Sequence, residues 1–588
     1  MTRRISKIKY YSLLCFAVAV FSVAVLFVIC FFQAPFMMTN DNFYLKSIAS
    51  GEVTGAYETH LYYMGIISGM IIKLGYMILP NAPMFGMFFC FSTAAMLSYT
   101  LYRLLFSCKR LISAALLLFV YLFTVYAFFI QHIIKTEFTA ITGFVGAAGV
   151  FSMYLLEEEK PFREYLKALI PFVIFSLWSV GIRDKAYLML LPFVGMILFG
   201  KFLNIFLKKN HKSEEYKNFA ALLIACIAVT VTGCGMNVIA YSGNEWKEFK
   251  RYTDASEKVY DFYGYPDYDE NEELYSGLGI TRSSYIAATE HYNILLDPAI
   301  NADSMERLAY EGELLYNSKR GSFSDTIKDI FQKFIERNFT TYTERPINIL
   351  AYLLYIIVFI LAVLSKSRRA VFDICCIFFA GSFLWVYLIY GGRFPSRVTQ
   401  IIFVCEIVLL VGVVIKRKLW EKKPAGIFLY VGIILIILSA IRFGLPVAKK
   451  QIGEVQSWYD FSVCFRELEE YLSKHPENHY YFDMSHLYYM EETLGKPGEY
   501  ENYVYMGSWM PNSPWYDEKL RSWGIEDVGA ALIDKKDVYL IYQPVDFDTR
   551  DFLDDYYAEH YPGCRLRVVD RFVASNGMEY EILKGYRE

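Results

Sequence analysis

Eleven apolar runs, each long enough to cross a bilayer, dominate the 588-residue chain and leave few architectures open to it. A membrane helix needs about 20 mostly apolar residues. In chain order the runs cover 11–32, 84–106, 111–130, 138–156, 166–182, 187–207, 219–241, 347–364, 370–390, 398–415 and 425–441. Lipid cannot satisfy backbone N–H and C=O groups, so runs of this kind fold as helices and pack into a bundle. With 55% hydrophobic, 18% aromatic and 20% charged residues, the charge must lie between the runs. That balance excludes an ordinary soluble enzyme and a disordered chain. The net charge of -3 offers no field for nucleic acid.

The first run follows Lys7 and Lys9 but is long and lacks a small-residue cleavage site, so it reads as a retained helix rather than a signal peptide. Basic residues in short turns set orientation. Lys7 and Lys9, Lys109 and Arg110, and the basic residues of 160–167, 208–212, 366–369 and 416–423 all fall on one side if there are eleven crossings. The predicted orientation is a cytoplasmic N-terminus and an extracytoplasmic C-terminal domain in the cell membrane. A twelfth run, 61–79, would reverse the charge bias if it crossed, so it is placed flat on the outer surface.

The predicted fold class is mainly α, a polytopic membrane helix bundle with an outer surface helix and a small C-terminal α/β domain. Four parts are expected: a membrane module over 1–241, an extracytoplasmic insert over 242–345, a second membrane module over 346–445 and the α/β domain over 446–588. In that domain an amphipathic helix is predicted over 458–473 and buried strands over 480–483 and 538–542. Asn576 and Gly577 favour a two-residue hairpin turn. Cys464 and Cys564 stand alone in this hydrophilic part, where one disulfide would be compatible with an outer location. Most of the other cysteines lie in apolar runs and read as packing residues. No spacing suggests a thiol-bound metal.

Soluble-enzyme motifs such as a nucleotide-binding glycine loop, a nucleophile elbow or a metalloprotease helix are absent. Attention therefore falls on ionisable residues near the outer face, which are costly to place there. The first cluster holds Asn40 and Asp41, with Glu58 and His60 further on. A partly buried carboxylate there could act as a base, while Asn and Asp are also favoured helix caps. Short outer turns carry Glu137 and the pair Arg183 and Asp184. The pair Arg183 and Asp184 could close its turn as an ion pair. Gly391, Gly392, Arg393 and Arg397 suggest a phosphate clamp, or arginines reaching for headgroups. Glu406 is an intramembrane carboxylate, and Asp373 is expected to be solvated.

One N-terminal span, an outer loop opening with Thr39, Asn40 and Asp41, a surface helix, paired spans and a terminal outer domain resemble the GT-C class of integral membrane glycosyltransferases. Asn40 to Tyr44, Ala49 to Gly51, Gly55, His60, Thr136 to Thr139 and Gly392 to Arg397 look like GT-C-like membrane proteins of Gram-positive bacteria. The resemblance implies transfer of a sugar from a polyprenyl-phosphate donor to a cell-envelope glycan or lipid acceptor, with inversion. Many members of the class carry two adjacent acids in this loop, whereas Asp41 here stands between Asn40 and Asn42. Asp41 is then the implied general base. Asn40, Glu58, His60, Glu137, Arg183, Asp184, Arg393 and Arg397 are the implied substrate-binding residues. The implied partners are the lipid-linked sugar, its acceptor and the bilayer; no cofactor is called for and no metal is indicated. Competing readings are a polysaccharide polymerase or ligase, a transporter or flippase, and a surface-binding protein using the aromatic stretch 503–516.

Overall fold

The computed structural model describes residues 2–33, 35–208, 213–290, 297–319, 321–341, 343–483, 492–498, 501–507, 509–544 and 551–588. Among them ten helices are long and apolar enough to cross a membrane, from Tyr10–Phe31 to the long helical stretch Lys423–Ser473. The run expected as the fourth crossing forms the shorter helix Phe138–Tyr154. All 17 of its residues are buried, and at 1.5 Å per residue it traverses about 25 Å of the bundle interior. Around it pack the helices Met84–Phe106, Phe162–Ile182 and Ser396–Arg417. Gly143, Gly146 and Gly149 permit this, since a side chain at each would collide with Ile401, Leu190 or Ser176.

The basic turns around Lys109, Arg368 and Lys418 gather at one end of the bundle. Tyr11 Oη donates to Cys108 O (2.8 Å), Lys109 pairs with Glu421 (3.5 Å), and Ser365 Oγ donates to Leu419 O (2.7 Å). Helix Ile66–Ile78 has both ends at the opposite end. Gly65 N donates to Ile182 O (2.9 Å) at its start, and near its finish Tyr76 stacks on Tyr57 and accepts from Phe85 N. It does not traverse the bundle.

Two short strands, β1 (Phe36–Met37) and β2 (Lys135–Thr136), pair in parallel and tie the first loop to the turn before the buried helix. The C-terminal sheet has strands β3 (His479–Asp483), β4 (Tyr503–Met506), β5 (Val538–Tyr542), β6 (Cys564–Val573) and β7 (Glu579–Arg587). Their order is β4-β3-β5-β7-β6; β3, β4 and β5 run parallel, and β7 is antiparallel to both neighbours.

Several expectations need correction. The hairpin between β6 and β7 has a three-residue loop. Ala574 N donates to Met578 O, Gly577 N donates to Ala574 O, and Gly577 takes φ 85°, the type I turn with a left-handed glycine. Cys464 and Cys564 are both free and buried; Cys464 accepts from Tyr580 Oη while Cys564 lies in a separate apolar cluster, so no disulfide joins them. Asp373 is not solvated, because Tyr154 Oη (2.6 Å) and Arg417 Nε (2.8 Å) both donate to it. Trp509, Trp515 and Tyr516 are buried, so the aromatic stretch is core rather than a docking surface. The amphipathic helix near 458 is the end of a longer course, Leu445–Phe461 followed by Val463–Ser473.

Candidate functional site

The first loop turns into helix Asn40–Ser50, whose N-cap is Thr39 with no side-chain cap bond. Asp41 therefore does not cap this helix. It lies in the first turn, where a negative charge is favoured by the helix dipole. Its Oδ1 accepts from Trp509 Nε1 at 2.9 Å. That tryptophan comes from the C-terminal domain, which also grips the loop through its backbone: Thr493 N donates to Pro35 O (2.7 Å) and Glu501 N to Glu52 O (2.9 Å). Asn42 Nδ2 donates to Thr136 O (2.9 Å), fixing the helix start against β2. The side chain of Asn40 lies outside the described residues.

From Asp41 a chain of contacts leads to Arg183. The Trp509 ring meets Tyr63 edge-on, with centroids 5.1 Å apart, and the Arg183 guanidinium lies 5.6 Å from the Tyr63 ring and 4.9 Å from Phe138. Burial first, then Asp41, raises the Tyr63 hydroxyl well above its ordinary value, and Arg183 opposes this. Arg183 Nη1 donates to Thr139 Oγ1 (2.6 Å), which donates to Glu137 Oε1 (2.6 Å). Glu137 Oε2 accepts from Ala140 N (2.7 Å) and caps the buried helix. Arg397 Nε is 3.9 Å from Glu137 Oε1. Glu137 is thus a cap that also joins two arginines.

Arg393 is placed differently. Its Nη1 pairs with Glu257 (3.0 Å) and Asp261 (2.7 Å), two acids of the insert, and Glu257 also pairs with Lys185 (2.9 Å). Burial alone would raise Glu257, but Lys185, Arg393 and Arg183 hold it below the usual carboxylate range. Asp261 is raised, with burial the leading cause; Glu257 and Asp41 add to it, and Arg393 and Arg397 oppose it. A phosphate at Arg393 would have to displace two carboxylates, so Arg183 and Arg397 suit an incoming anion better.

The remaining residues stand apart. Asp184 accepts from Asn237 Nδ2 (3.0 Å) and its neighbour's backbone N–H, an arrangement that closes the turn without an ion pair to Arg183. Glu58 accepts from His60 Nδ1 (2.9 Å) and from the backbone of Thr59 and His60. Burial would raise its carboxyl, yet these bonds hold it down at about 2. His60 stacks on Trp246 (4.9 Å), which meets Trp515 (4.8 Å). It belongs to an aromatic wall behind Trp509. Glu406 lies deep in the bundle, where its carboxylate fills the space left by Gly381. Among the described residues no group of three or more His, Cys, Asp or Glu could hold a metal ion.

Sequence reasoning missed Trp509, Tyr63, Glu257 and Asp261. Trp509 sits in a stretch whose aromatic content was visible but whose direction was not. Glu257 and Asp261 lie in the acidic, tyrosine-rich insert, which offers no motif.

The fold and this site define a multi-pass helical membrane protein whose first loop, insert and α/β domain meet at one end of the bundle. No family model matches the chain, and no curated protein does. Among solved structures it is similar to ArnT from Cupriavidus metallidurans bound to undecaprenyl phosphate, at 10% identity and TM-score 0.40, over 96% of this chain and 97% of that one. The apo state of ArnT gives 10% identity and TM-score 0.39, over 96% and 98%.

Proposed function

We propose that this protein is a GT-C-like glycosyltransferase that moves a sugar from a polyprenyl-phosphate donor to a cell-envelope glycan or lipid acceptor at the outer face. The observation that carries the reading is the contact chain from Asp41 through Trp509 and Tyr63 to Arg183, with Arg397 joined through Glu137. Asp41 takes the proton of the acceptor hydroxyl as that oxygen attacks the anomeric carbon. The phosphate leaves on the opposite face, which inverts the centre. Its low proton affinity removes the need for an acid. Arg183 and Arg397 stabilise the charge that develops on it, as fixed donors aimed at a leaving group do. Arg393 keeps the insert acids Glu257 and Asp261 in place, and Asn40, Glu58, His60 and Asp184 act at most on the substrate's periphery.

A lipid-linked donor also suits the bundle. A cavity of about 590 Å³ serves the outer domain, but a larger one of 950 Å³ runs between the membrane helices, from Phe129 and Leu350 past Val120 and Leu354 to the basic turns at Lys109 and Lys423. Its wall on helix Ser396–Arg417 begins at Val404, seven residues or about two turns from Arg397. With the basic turns facing the cytoplasm under the positive-inside rule, the site faces outward, where lipid-linked sugars replace nucleotide sugars.

The test is Asp41→Asn in a strain whose own copy is deleted, with the envelope glycans profiled and the variant quantified in membranes. The variant should give the deletion profile at normal abundance. Restoration of the parental profile by Asp41→Asn would refute the assignment of the base.

A further inference from the structure

The C-terminal domain carries its own groove, whose lining includes neither Asp41 nor Trp509, with a volume of about 590 Å³. Tyrosines form much of it. The Tyr480 and Tyr539 rings stack with centroids 5.7 Å apart, Tyr471 stands beside His475 (5.1 Å), and Tyr586 is 42% exposed at the rim. Between the rings are groups that donate and accept. Tyr471 Oη donates to Asp570 (2.7 Å), Asn478 Nδ2 donates to the Tyr480 hydroxyl (3.1 Å), and Arg587 pairs with Asp534 (2.7 Å). Lys584 lies 5.1 Å from the Tyr539 ring and donates to Val538 O (2.8 Å).

Ring faces bordered by bonded pairs of carboxylate, amide and cation fit one kind of ligand well. A sugar presents C–H groups on its ring faces and hydroxyls around its edge, so it stacks on an aromatic ring while exchanging hydrogen bonds with a polar border. A purely apolar ligand would leave Asp570, Asn478 and Arg587 desolvated. A small anion would have no use for the tyrosine faces. The volume lies within the range of small-ligand sites and has room for more than one sugar ring.

We propose that this groove binds a short oligosaccharide, with Tyr539 and Tyr586 as the stacking platforms. The site is independent of the chemistry assigned to Asp41. It would hold a glycan chain even if the bundle transferred nothing.

The test uses the full-length protein in lipid nanodiscs and three probes, maltohexaose, cellohexaose and chitohexaose, with saturation-transfer NMR and calorimetric titration. At least one probe should bind saturably. Tyr539→Ala and Tyr586→Ala should each weaken it by about ten-fold, whereas Tyr539→Phe keeps the ring and should bind as the parent does. Tyr586 is partly exposed, so its variant reports binding without a folding defect, and unchanged thermal unfolding checks this. Saturable binding of none of the three, or binding indifferent to both alanine variants, overturns the proposal. Asp41→Asn should bind the probe normally, which separates failure of this site from failure of the transferase reading.

Discussion

The two ends of the buried helix Phe138–Tyr154 handle charge in opposite ways. At its C-terminal end the cations are spoken for. Lys416 Nζ donates to Tyr154 O (2.7 Å) and Leu156 O (3.0 Å), and Lys201 Nζ donates to Leu156 O (2.8 Å) while pairing with Glu158. These carbonyls lack helical partners, and a positive charge is favoured there. At the N-terminal end Glu137 caps the helix in the matching sense, yet its neighbours are left with capacity. A guanidinium has five N–H donors. Among the described residues Arg183 meets one hydroxyl and two rings, and Arg397 one carboxylate oxygen at 3.9 Å. One end completes a helix, and the other completes a helix and retains donors for something else.

Exchanging a cation at each end tests this contrast most strongly. Arg183→Ala should lower sugar transfer from a labelled lipid-linked donor by about 10²–10³, with the thermal midpoint in detergent unchanged. Lys416→Ala should instead leave the Tyr154 carbonyl unpaired, while Leu156 O keeps Lys201, and lower stability by about 1–3 kcal/mol, with activity per folded molecule intact. If Arg183→Ala unfolds the protein as Lys416→Ala does, both ends are structural and the contrast collapses.

A smaller effect concerns the contact between the first loop and the C-terminal domain. Lys46 pairs with Glu52 in the loop and Lys519 with Glu501 in the domain, all of them buried, and Glu501 N donates to Glu52 O between the two. Burial pushes the Glu501 carboxyl up to about 8, against the pull of Lys519. A raised acid holds its proton more tightly in the folded state. Its contribution to stability is therefore complete below its unfolded value, near pH 4.3, and is lost as pH rises towards 8. Lys519, pushed down to about 8 by burial, acts in the opposite sense only above that pH. Thermal stability should fall between pH 5 and 8 with a slope of at most about 1.4 kcal/mol per pH unit from this group. Glu501→Gln should reduce it, the remainder coming from Glu469, which burial raises to about 7; an unchanged slope would place the titrating group elsewhere.

The same helix shows how far the sequence could be read. Its apolar run marks it as a crossing, and the basic residues near its C-terminal end and the acid before Phe138 are readable as end markers. The expected orientation rests on such charges, and the strands 480–483 and 538–542 follow from apolar content. The partners of Asp41 do not. Trp509 lies 468 positions from Asp41, and no local period reports a contact formed only when the α/β domain docks on the first loop. Arg393 misled for a related reason. Its glycine-rich turn resembles a clamp, but Glu257 and Asp261, about 130 residues earlier, occupy it. Local chemistry was legible, whereas the pairing of charges across segments required the fold.

The finest distinction lies within the open end, between the proposed base Asp41 and a residue that only aims it. Trp509→Phe preserves a ring against Tyr63 and Tyr44 and removes only the N–H that reaches Asp41. Because other contacts of the loop survive, including the Thr493 and Glu501 backbone bonds, folding and donor binding should be unchanged. An interaction that matters for the reacting carboxylate but not for substrate affinity lowers kcat and leaves KM alone. The expected loss in kcat is about ten-fold, equivalent to about 1.4 kcal/mol and well short of that for Arg183→Ala. A rise in KM with kcat preserved would instead make Trp509 part of the substrate pocket, and the carboxylate would then hold its position without help from the C-terminal domain.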